Sequence, residues 1–266
     1  MKKILTVAFV FIVVFPAAGT GQEGSPLLTR PGWEAGAQAA HYRYLEPDFA
    51  KLAGNHAGIV VARNFTNAEG VFSRIDFRGS YGRLKYESPA SGTQDRVPDW
   101  ISEARAVAGL DWVGGSVSLS PYLGLGYRYL YNDSRGYSSS GSIGYRRFSN
   151  YLYAPAGLTM RIHLGSRWVL APTVEADVLL QGRQVSKLSD TGLGYIDVTN
   201  EQKKGRGHRA SLMLEKDRWA IGAWTHYWHI GDSDTQFAGV VNGIPRGALE
   251  PENYTRESGM ELRYRF

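Results

Sequence analysis

The sequence predicts an all-β protein, a closed antiparallel transmembrane β-barrel with ten strands, short periplasmic turns and five external loops. Three observations predict this fold. Segments of about ten or more residues alternate apolar and polar side chains, as strands with one apolar and one wet face do. The connections between these segments alternate between short and long. The alternation continues to the carboxyl terminus, where Met260, Leu262, Tyr264 and Phe266 share one face.

The amino terminus is predicted to be a cleavable secretory signal at residues 1–21. Two lysines precede an apolar run from Ile4 to Phe15, and a zone of small residues follows this run. The run is too short for a transmembrane helix, which needs ~20 apolar residues, but it is typical of an exported protein. Residues 22–31 are then a periplasmic N-terminal linker, and residues 32–266 form the ten-stranded barrel.

The composition excludes several classes of protein. Without the two lysines of the signal, 28 basic residues face 25 acidic ones, and a net charge of +3 is too weak and dispersed for nucleic-acid binding. The chain has no cysteine, so neither a disulfide framework nor a lipoprotein anchor is available to it. Its slightly polar mean hydropathy excludes a bundle of transmembrane helices, whereas a barrel is compatible because half of each strand faces the lumen.

The first five predicted strands each have one face that is nearly free of charge, which we place toward lipid. They lie at residues 32–45, 55–65, 71–84, 100–112 and 116–130. Their outward residues are, in order, Trp33, Ala35, Ala37 and Ala39; Ala57, Ile59, Val61 and Phe65; Val71, Ile75, Phe77 and Tyr81; Trp100, Ala104, Ala106, Ala108, Leu110 and Trp112; and Val117, Leu119, Leu123, Leu125 and Tyr127. Trp100 and Trp112 have the spacing of two aromatic girdles at the rims of a barrel.

The last five predicted strands lie at residues 151–164, 168–181, 208–215, 219–230 and 252–266. The outward residues are Leu152, Leu158, Met160, Ile162 and Leu164 on the sixth; Trp168, Leu170, Val174, Ala176, Val178 and Leu180 on the seventh; and Ala210, Leu212 and Leu214 on the eighth. On the seventh strand, Glu175, Asp177 and Gln181 are predicted to point inward. The ninth strand is aromatic on both faces, which leaves its orientation open.

The loop lengths and the distribution of charge decide between architectures. Short turns follow the even-numbered strands. Long polar segments follow the third, fifth, seventh and ninth strands, at residues 87–98, 132–150, 182–207 and 231–251. A soluble β-sandwich has shorter strands and no reason for this alternation. A soluble lipocalin-like barrel would be apolar inside, but here the charged face also carries most of the glycine and serine. The apolar face therefore points outward.

The inward face carries nearly equal numbers of acidic and basic residues. They are Glu34, Arg74, Asp76, Arg78, Glu103, Arg105, Asp111, Arg128, Arg161, Glu175, Asp177, Arg209, Glu257, Glu261, Arg263 and Arg265. A ten-stranded bore is only slightly wider than the ~8-stranded barrels that side chains fill. We therefore expect a lumen filled by Arg–carboxylate pairs, with a narrow pore as the alternative.

Basic and aromatic residues are also concentrated in the third and fourth external loops. They are Tyr131, Arg135, Tyr137, Tyr145, Arg146 and Arg147 in the third, and Lys203, Lys204, Arg206 and Arg209 near the fourth. Such groups can hold the phosphates of lipopolysaccharide through charge-assisted hydrogen bonds. The alternative is that they are ordinary rim residues of a barrel.

Two resemblances to known proteins add to this prediction. The last strand looks like the C-terminal strand of bacterial outer-membrane proteins, whose final aromatic residue, here Phe266, is read by the barrel assembly machinery. The strand number, the length and two segments, residues 144–147 (Gly-Tyr-Arg-Arg) and 151–155 (Tyr-Leu-Tyr-Ala-Pro), resemble omptins, which are ten-stranded outer-membrane proteases. Omptins hydrolyse peptides with an Asp pair facing an Asp–His pair.

The omptin catalytic pairs have no recognisable counterpart in this sequence. The candidate rim residues are Asp95 and Asp99, Asp190 and Asp197, and His229 with Asp232 and Asp234. The first two are four residues apart rather than a close pair, and the second two have no adjacent histidine. We therefore assign no catalytic, metal-binding or cofactor-binding residue and expect no cofactor.

The sequence as a whole predicts an integral outer-membrane barrel of a Gram-negative bacterium, monomeric and non-enzymatic. Its expected role is in envelope structure, surface interaction or minor, porin-like permeation. Its expected partners are outer-membrane lipid, lipopolysaccharide and the assembly machinery, with no nucleic acid. The alternatives are an omptin-like endopeptidase or lipopolysaccharide-dependent hydrolase that uses rim carboxylates, and a narrow pore.

Overall fold

The computed structural model describes residues 25–266, and the signal predicted at residues 1–21 lies outside them. The strands are β1 Gly32–Glu46, β2 Ala50–Thr66, β3 Val71–Ser88, β4 Gly92–Leu110, β5 Trp112–Gly114, β6 Val117–Tyr137, β7 Ile143–Gly165, β8 Trp168–Ser186, β9 Val198–Gln202, β10 Gly205–Lys216, β11 Trp219–Ile230, β12 Gln236–Val241, β13 Ile244–Ala248 and β14 Asn253–Arg265. The helical content of the described chain is a single 3₁₀ turn at Leu188–Thr191, and no helix there has the length and apolarity to span a bilayer.

Ten of the strands in residues 25–266 close into an antiparallel barrel. Each pairs with its neighbours in the order β1–β2–β3–β4–β6–β7–β8–β10–β11–β14, and β14 returns to pair with β1. The short strand β5 follows β4 and pairs with β6. The short strand β9 pairs with the external end of β8, beyond the part of β8 that pairs with β10. Strands β12 and β13 form a separate hairpin in the last external loop. The predicted fold class is confirmed.

The strands are longer than the sequence predicts, because the apolar–polar alternation fades above the membrane while the backbone ladder continues. Strands β3 and β4 run to Ser88 and from Gly92, so residues 87–98 are largely strand rather than loop. Strands β6 and β7, of 21 and 23 residues, likewise absorb much of 132–150. A tilted strand crosses a bilayer in ~9–11 residues, so these hairpins project well beyond the membrane.

The exterior of the barrel is an apolar wall. Among its exposed residues are Ile59, Leu123, Val174, Val178, Leu212, Met260 and Leu262, with Trp33, Trp100, Trp112 and Trp219 near the two rims. A soluble monomer seldom exposes an apolar patch of more than a few hundred Å², whereas a lipid-facing wall requires one. The apolar-out orientation predicted from the sequence is therefore present.

Two details of orientation depend on pairing between strands. The pairing of β7 with β8 shifts register, so that Leu152 faces Gln181 while Tyr153 faces Leu179. Leu180 is the extra residue of this bulge, and Gln181 is exposed rather than pointing inward, which corrects the prediction. On β11, whose orientation the sequence leaves open, His226 and Trp228 point into the barrel.

Candidate functional site in the barrel lumen

A network of arginines and carboxylates crosses the middle of the lumen. The guanidinium of Arg78 donates to Glu103 at 2.5 Å and, with two nitrogens, to both oxygens of Glu257 at 2.9 Å. Arg209 donates to Glu103 at 2.5 and 3.0 Å, and Arg128 donates to Glu257 at 2.9 Å. Because these residues come from β3, β4, β6, β10 and β14, the network ties opposite walls of the barrel together.

The network continues toward the periplasm through Arg105. Its guanidinium binds Asp76 at 2.9 Å and both oxygens of Glu175 at 2.9 Å. The hydroxyl of Tyr122 donates to Glu175 at 2.7 Å. The Arg–carboxylate pairs that the inward charges predict are thus present, and they involve buried rather than solvated groups.

An apolar layer lies on the external side of this network, and it was not predicted. Its buried residues are Tyr42, Leu52, Leu84, Val97, Ile101, Leu130, Tyr151, Tyr153, Leu179, Trp228 and Ile230. The rings of Tyr153 and Trp228 meet edge to face at 5.1 Å, and the Tyr153 hydroxyl donates to Glu103 at 2.7 Å, which joins the two layers. We name the eleven buried residues listed above the apolar plug. The sequence contains a signal for this layer, because Ile101 lies on the same strand face as Glu103, and Leu179 lies on the same face as Asp177.

A third cluster lies at the external mouth. One nitrogen of Arg147 donates to Glu46 and, at 2.6 Å, to Glu250, and the Tyr44 hydroxyl donates to Glu46 at 2.7 Å. Burial raises the pKa of Glu250 to about 7, and the neighbouring charge of Glu46 adds to this effect. Arg147, predicted as a loop residue available to lipopolysaccharide, is therefore inside the barrel and already bound to carboxylates. Arg209, which the sequence groups with the fourth loop but also places on the inward face, points into the lumen.

The rim carboxylates do not form a catalytic set in residues 25–266. Asp99 is buried in the lumen, 3.2 Å from Nε2 of His56 and hydrogen-bonded to Asn132 at 3.0 Å. Asp95 and Asp232 are exposed. Hydrogen bonds from Arg146 lower the pKa of Asp190 to about 2. The remaining two, Asp197 and Asp234, lie near Lys187 at 2.7 Å and Lys203 at 3.7 Å.

His229 lies on the outer wall and not in a groove. Its Nε2 atom is 2.8 Å from Glu252, and its ring stacks on Tyr254 at 4.7 Å. Its carboxylate partner is therefore Glu252 and not Asp232 or Asp234, the loop carboxylates with which the sequence groups it. An Asp pair facing an Asp–His pair is not found in the described part of the chain.

A row of two arginines, a histidine and a tyrosine crosses the outer wall above the apolar belt. Cross-strand pairing places His208 beside Tyr227, Tyr227 beside Arg256, and Arg256 beside Arg43. Arg43 and Arg256 are exposed like charges on neighbouring strands, and neither has an ion pair with any residue in 25–266. We name His208, Tyr227, Arg256 and Arg43 the basic row. Loop composition alone does not reveal it, because the row spans four strands, and β1 meets β14 only through closure of the barrel.

The height of the basic row matches a membrane surface. Arg256 is ten residues from Phe266, which is roughly 33 Å along the strand, or about 25 Å along the membrane normal at a ~40° tilt. The apolar band of an outer-membrane barrel is also ~25 Å tall. Between the row and Phe266, β14 presents Met260 and Leu262 to lipid.

The fold is similar to that of known outer-membrane barrels. The outer membrane protease OmpT from Escherichia coli superimposes with a TM-score of 0.56 and 10% identity, covering 91% of this chain and 100% of that one. Neisserial surface protein A (10% identity, 88% and 97% coverage) and the transport unit of the E. coli autotransporter AIDA-I (10%, 89% and 91%) give TM-scores of 0.34 and 0.43. The sequence matches no family model and no curated protein. At such identities the likeness concerns the fold alone, and in architecture the chain is similar to omptins.

Proposed function

We propose that this chain is an integral outer-membrane barrel of a Gram-negative bacterium, non-enzymatic and non-conducting, that acts through its outer surface in the cell envelope. The observation that supports this proposal is the filled lumen. The apolar plug and the Arg–carboxylate network occupy successive levels of the bore, and Trp228, Arg128, Tyr153 and Glu103 are among its fully buried side chains. A hydrated ion passing through would have to displace both layers.

Conductance in planar lipid bilayers tests the filled lumen. We expect no reproducible open state from the refolded mature protein. The variant Trp228→Ala/Tyr153→Ala/Arg78→Ala/Glu103→Ala removes side chains from both layers, the two rings that meet at 5.1 Å and an ion pair of the network, and should produce a measurable conductance. As a control, Trp219→Ala removes an exposed ring from the outer wall and should produce no conductance.

Two results would contradict the proposal. A large and reproducible open state of the unaltered protein would favour the pore. Cleavage of a fluorogenic peptide in the presence of lipopolysaccharide, lost in Asp95→Ala or His229→Ala, would favour an omptin-like hydrolase.

We further propose that the basic row binds the phosphates of lipopolysaccharide in the outer leaflet. Arg43 and Arg256 stand next to each other, and no carboxylate in the described residues 25–266 neutralises either of them. Like charges in this arrangement repel unless an anion lies between them. Tyr227 adjoins Arg256 in the same row and adds a hydroxyl group suited to the membrane interface. The lipid phosphate supplies the missing negative charge.

Binding of fluorescent lipid A to the detergent-solubilised protein tests this site. The double variant Arg43→Ala/Arg256→Ala should bind lipid A at least tenfold more weakly, since hydrogen bonds to charged groups contribute about 1.5–3 kcal/mol each. Dephosphorylated lipid A should bind equally weakly to both proteins. The control is Arg63→Ala, which removes an outer-wall arginine packed over Trp33 at the other end of the barrel. Equal affinity in all variants would rule out the basic row.

A further inference from the structure

The periplasmic end of the lumen contains a cavity of about 170 Å³ that is unusually rich in arginine. Seven arginines and two carboxylates, Glu34 and Glu215, line it. Four of the arginines, Arg74, Arg105, Arg263 and Arg265, have carboxylate partners. The volume accommodates on the order of ten water molecules, which is enough for a small hydrated anion.

The segment before β1 forms one wall of this cavity. The backbone N–H of Thr29 donates to Asp111 at 2.6 Å, and its hydroxyl donates to the same carboxylate at 3.0 Å. The hydroxyls of Thr66 and Ser118 donate to the carbonyls of Thr29 and Leu27, each at 2.6 Å. Residues 25–30 are therefore bound in the periplasmic mouth, and they hold Arg30 in a defined position.

Three of the arginines are poorly neutralised. The guanidinium of Arg30 donates to the carbonyl of Asp217 at 2.6 Å and has no ion pair in residues 25–266. The exposed Arg218 binds the hydroxyl of Tyr264 at 3.3 Å and likewise has no carboxylate partner in this range. Arg161 is 3.5 Å from Asp111, whose oxygens already accept hydrogen bonds from Thr29 and Ser120.

These three side chains line the same cavity. Arg161 donates to the Thr29 hydroxyl at 3.2 Å, directly before Arg30 in the chain, and Arg218 follows the residue whose carbonyl Arg30 binds. Burial and the nearby charge of Arg265 lower the pKa of Arg30, which is the expected response of a cation crowded by other cations. An excess of like charge in such a partly buried cavity is stabilised by a bound counter-ion.

We infer that this cavity is a binding site for a divalent tetrahedral oxyanion, such as phosphate or sulfate, taken from the periplasm. Planar guanidinium groups bind such oxyanions through paired hydrogen bonds, and several arginines are preferred where the ligand has four oxygens. Arg218, exposed at the turn between β10 and β11, places one end of the cavity at the surface. The site is distinct from the basic row, which lies on the outer wall at the opposite end of the barrel.

Calorimetric titration of the refolded mature protein with inorganic phosphate at low ionic strength and pH 7.5 tests this site. We expect saturable binding of one phosphate per chain, competition by sulfate, and no comparable binding of chloride. Arg30→Gln lies outside the strands and should fold normally, and it should weaken phosphate binding about tenfold by removing one charge-assisted pair. Arg161→Gln should act in the same direction.

Two controls separate this site from other basic surfaces. Arg167→Gln changes an arginine that is 77% exposed at a periplasmic turn and should bind phosphate as the unaltered protein does. Arg43→Ala/Arg256→Ala should also retain phosphate binding, whatever its affinity for lipid A. Absence of saturable binding, equal binding by chloride, or unchanged affinity in Arg30→Gln would each overturn the inference.

Discussion

Replacing Glu103 with glutamine should destabilise the barrel by about 3–5 kcal/mol, which is the usual cost of removing one member of a buried ion pair. Glu103 accepts hydrogen bonds from Arg78, Arg209 and Tyr153, and its side chain is 1% exposed. Without its charge, two buried guanidinium groups lose a counter-ion, although Arg78 retains Glu257 and Arg209 retains Glu175. Urea titration of the protein refolded in lipid vesicles measures the change in unfolding free energy.

The exposed pair of Arg167 and Asp217 provides the control for Glu103. Their charged atoms are 2.9 Å apart, but the side chains are 77% and 40% exposed. Asp217→Asn should therefore cost at most about 1 kcal/mol. If Glu103→Gln costs no more than Asp217→Asn, the lumen network does not stabilise the barrel. A double-mutant cycle with Arg209→Gln then reports how much of the loss belongs to that one pair.

The contribution of Glu250, at the external mouth, to the free energy of unfolding should fall as the pH rises from about 4.5 to about 7. The pKa of Glu250 is raised to about 7 by burial and by Glu46, so the folded protein binds this proton more tightly than the unfolded chain does. The contribution is fully present below the unfolded pKa and is lost as the pH rises through the folded one. A shift of this size corresponds to about 3 kcal/mol.

Comparison of variants isolates this effect from the other titrating groups. Glu250→Gln keeps the shape of the side chain but removes its titration, so its unfolding free energy should vary less between pH 5 and pH 8 than that of the unaltered protein. Glu201→Gln changes an exposed carboxylate on β9 and should leave the pH dependence as it was. An identical pH profile for Glu250→Gln would show that Arg147 neutralises Glu250 throughout this range.

The candidate site was only partly predictable. The alternation on each strand places Arg78, Glu103 and Arg209 on one inward face, so the presence of buried ion pairs could be expected. The identity of each pair could not, because Arg209 is 106 residues from Glu103 and meets it only across the closed bore. The apolar plug was missed because Ile101 and Leu179 share their strand faces with Glu103 and Asp177, and the alternation assigns a face by its charges without showing that apolar residues on the same face form a separate level of the bore.

The sequence by itself determined the architecture. Period-two alternation and loop length are local properties, and they persist to Phe266, so ten strands with an apolar exterior follow without knowledge of any long-range contact. Only the tertiary structure decided which residues of these faces contact one another. The bulge at Leu180 turns Gln181 outward, barrel closure brings Glu46, Arg147 and Glu250 together, and pairing of four strands builds the basic row. These features depend on register and closure, which join residues far apart in the chain, and a local pattern contains no information about which distant residues will meet.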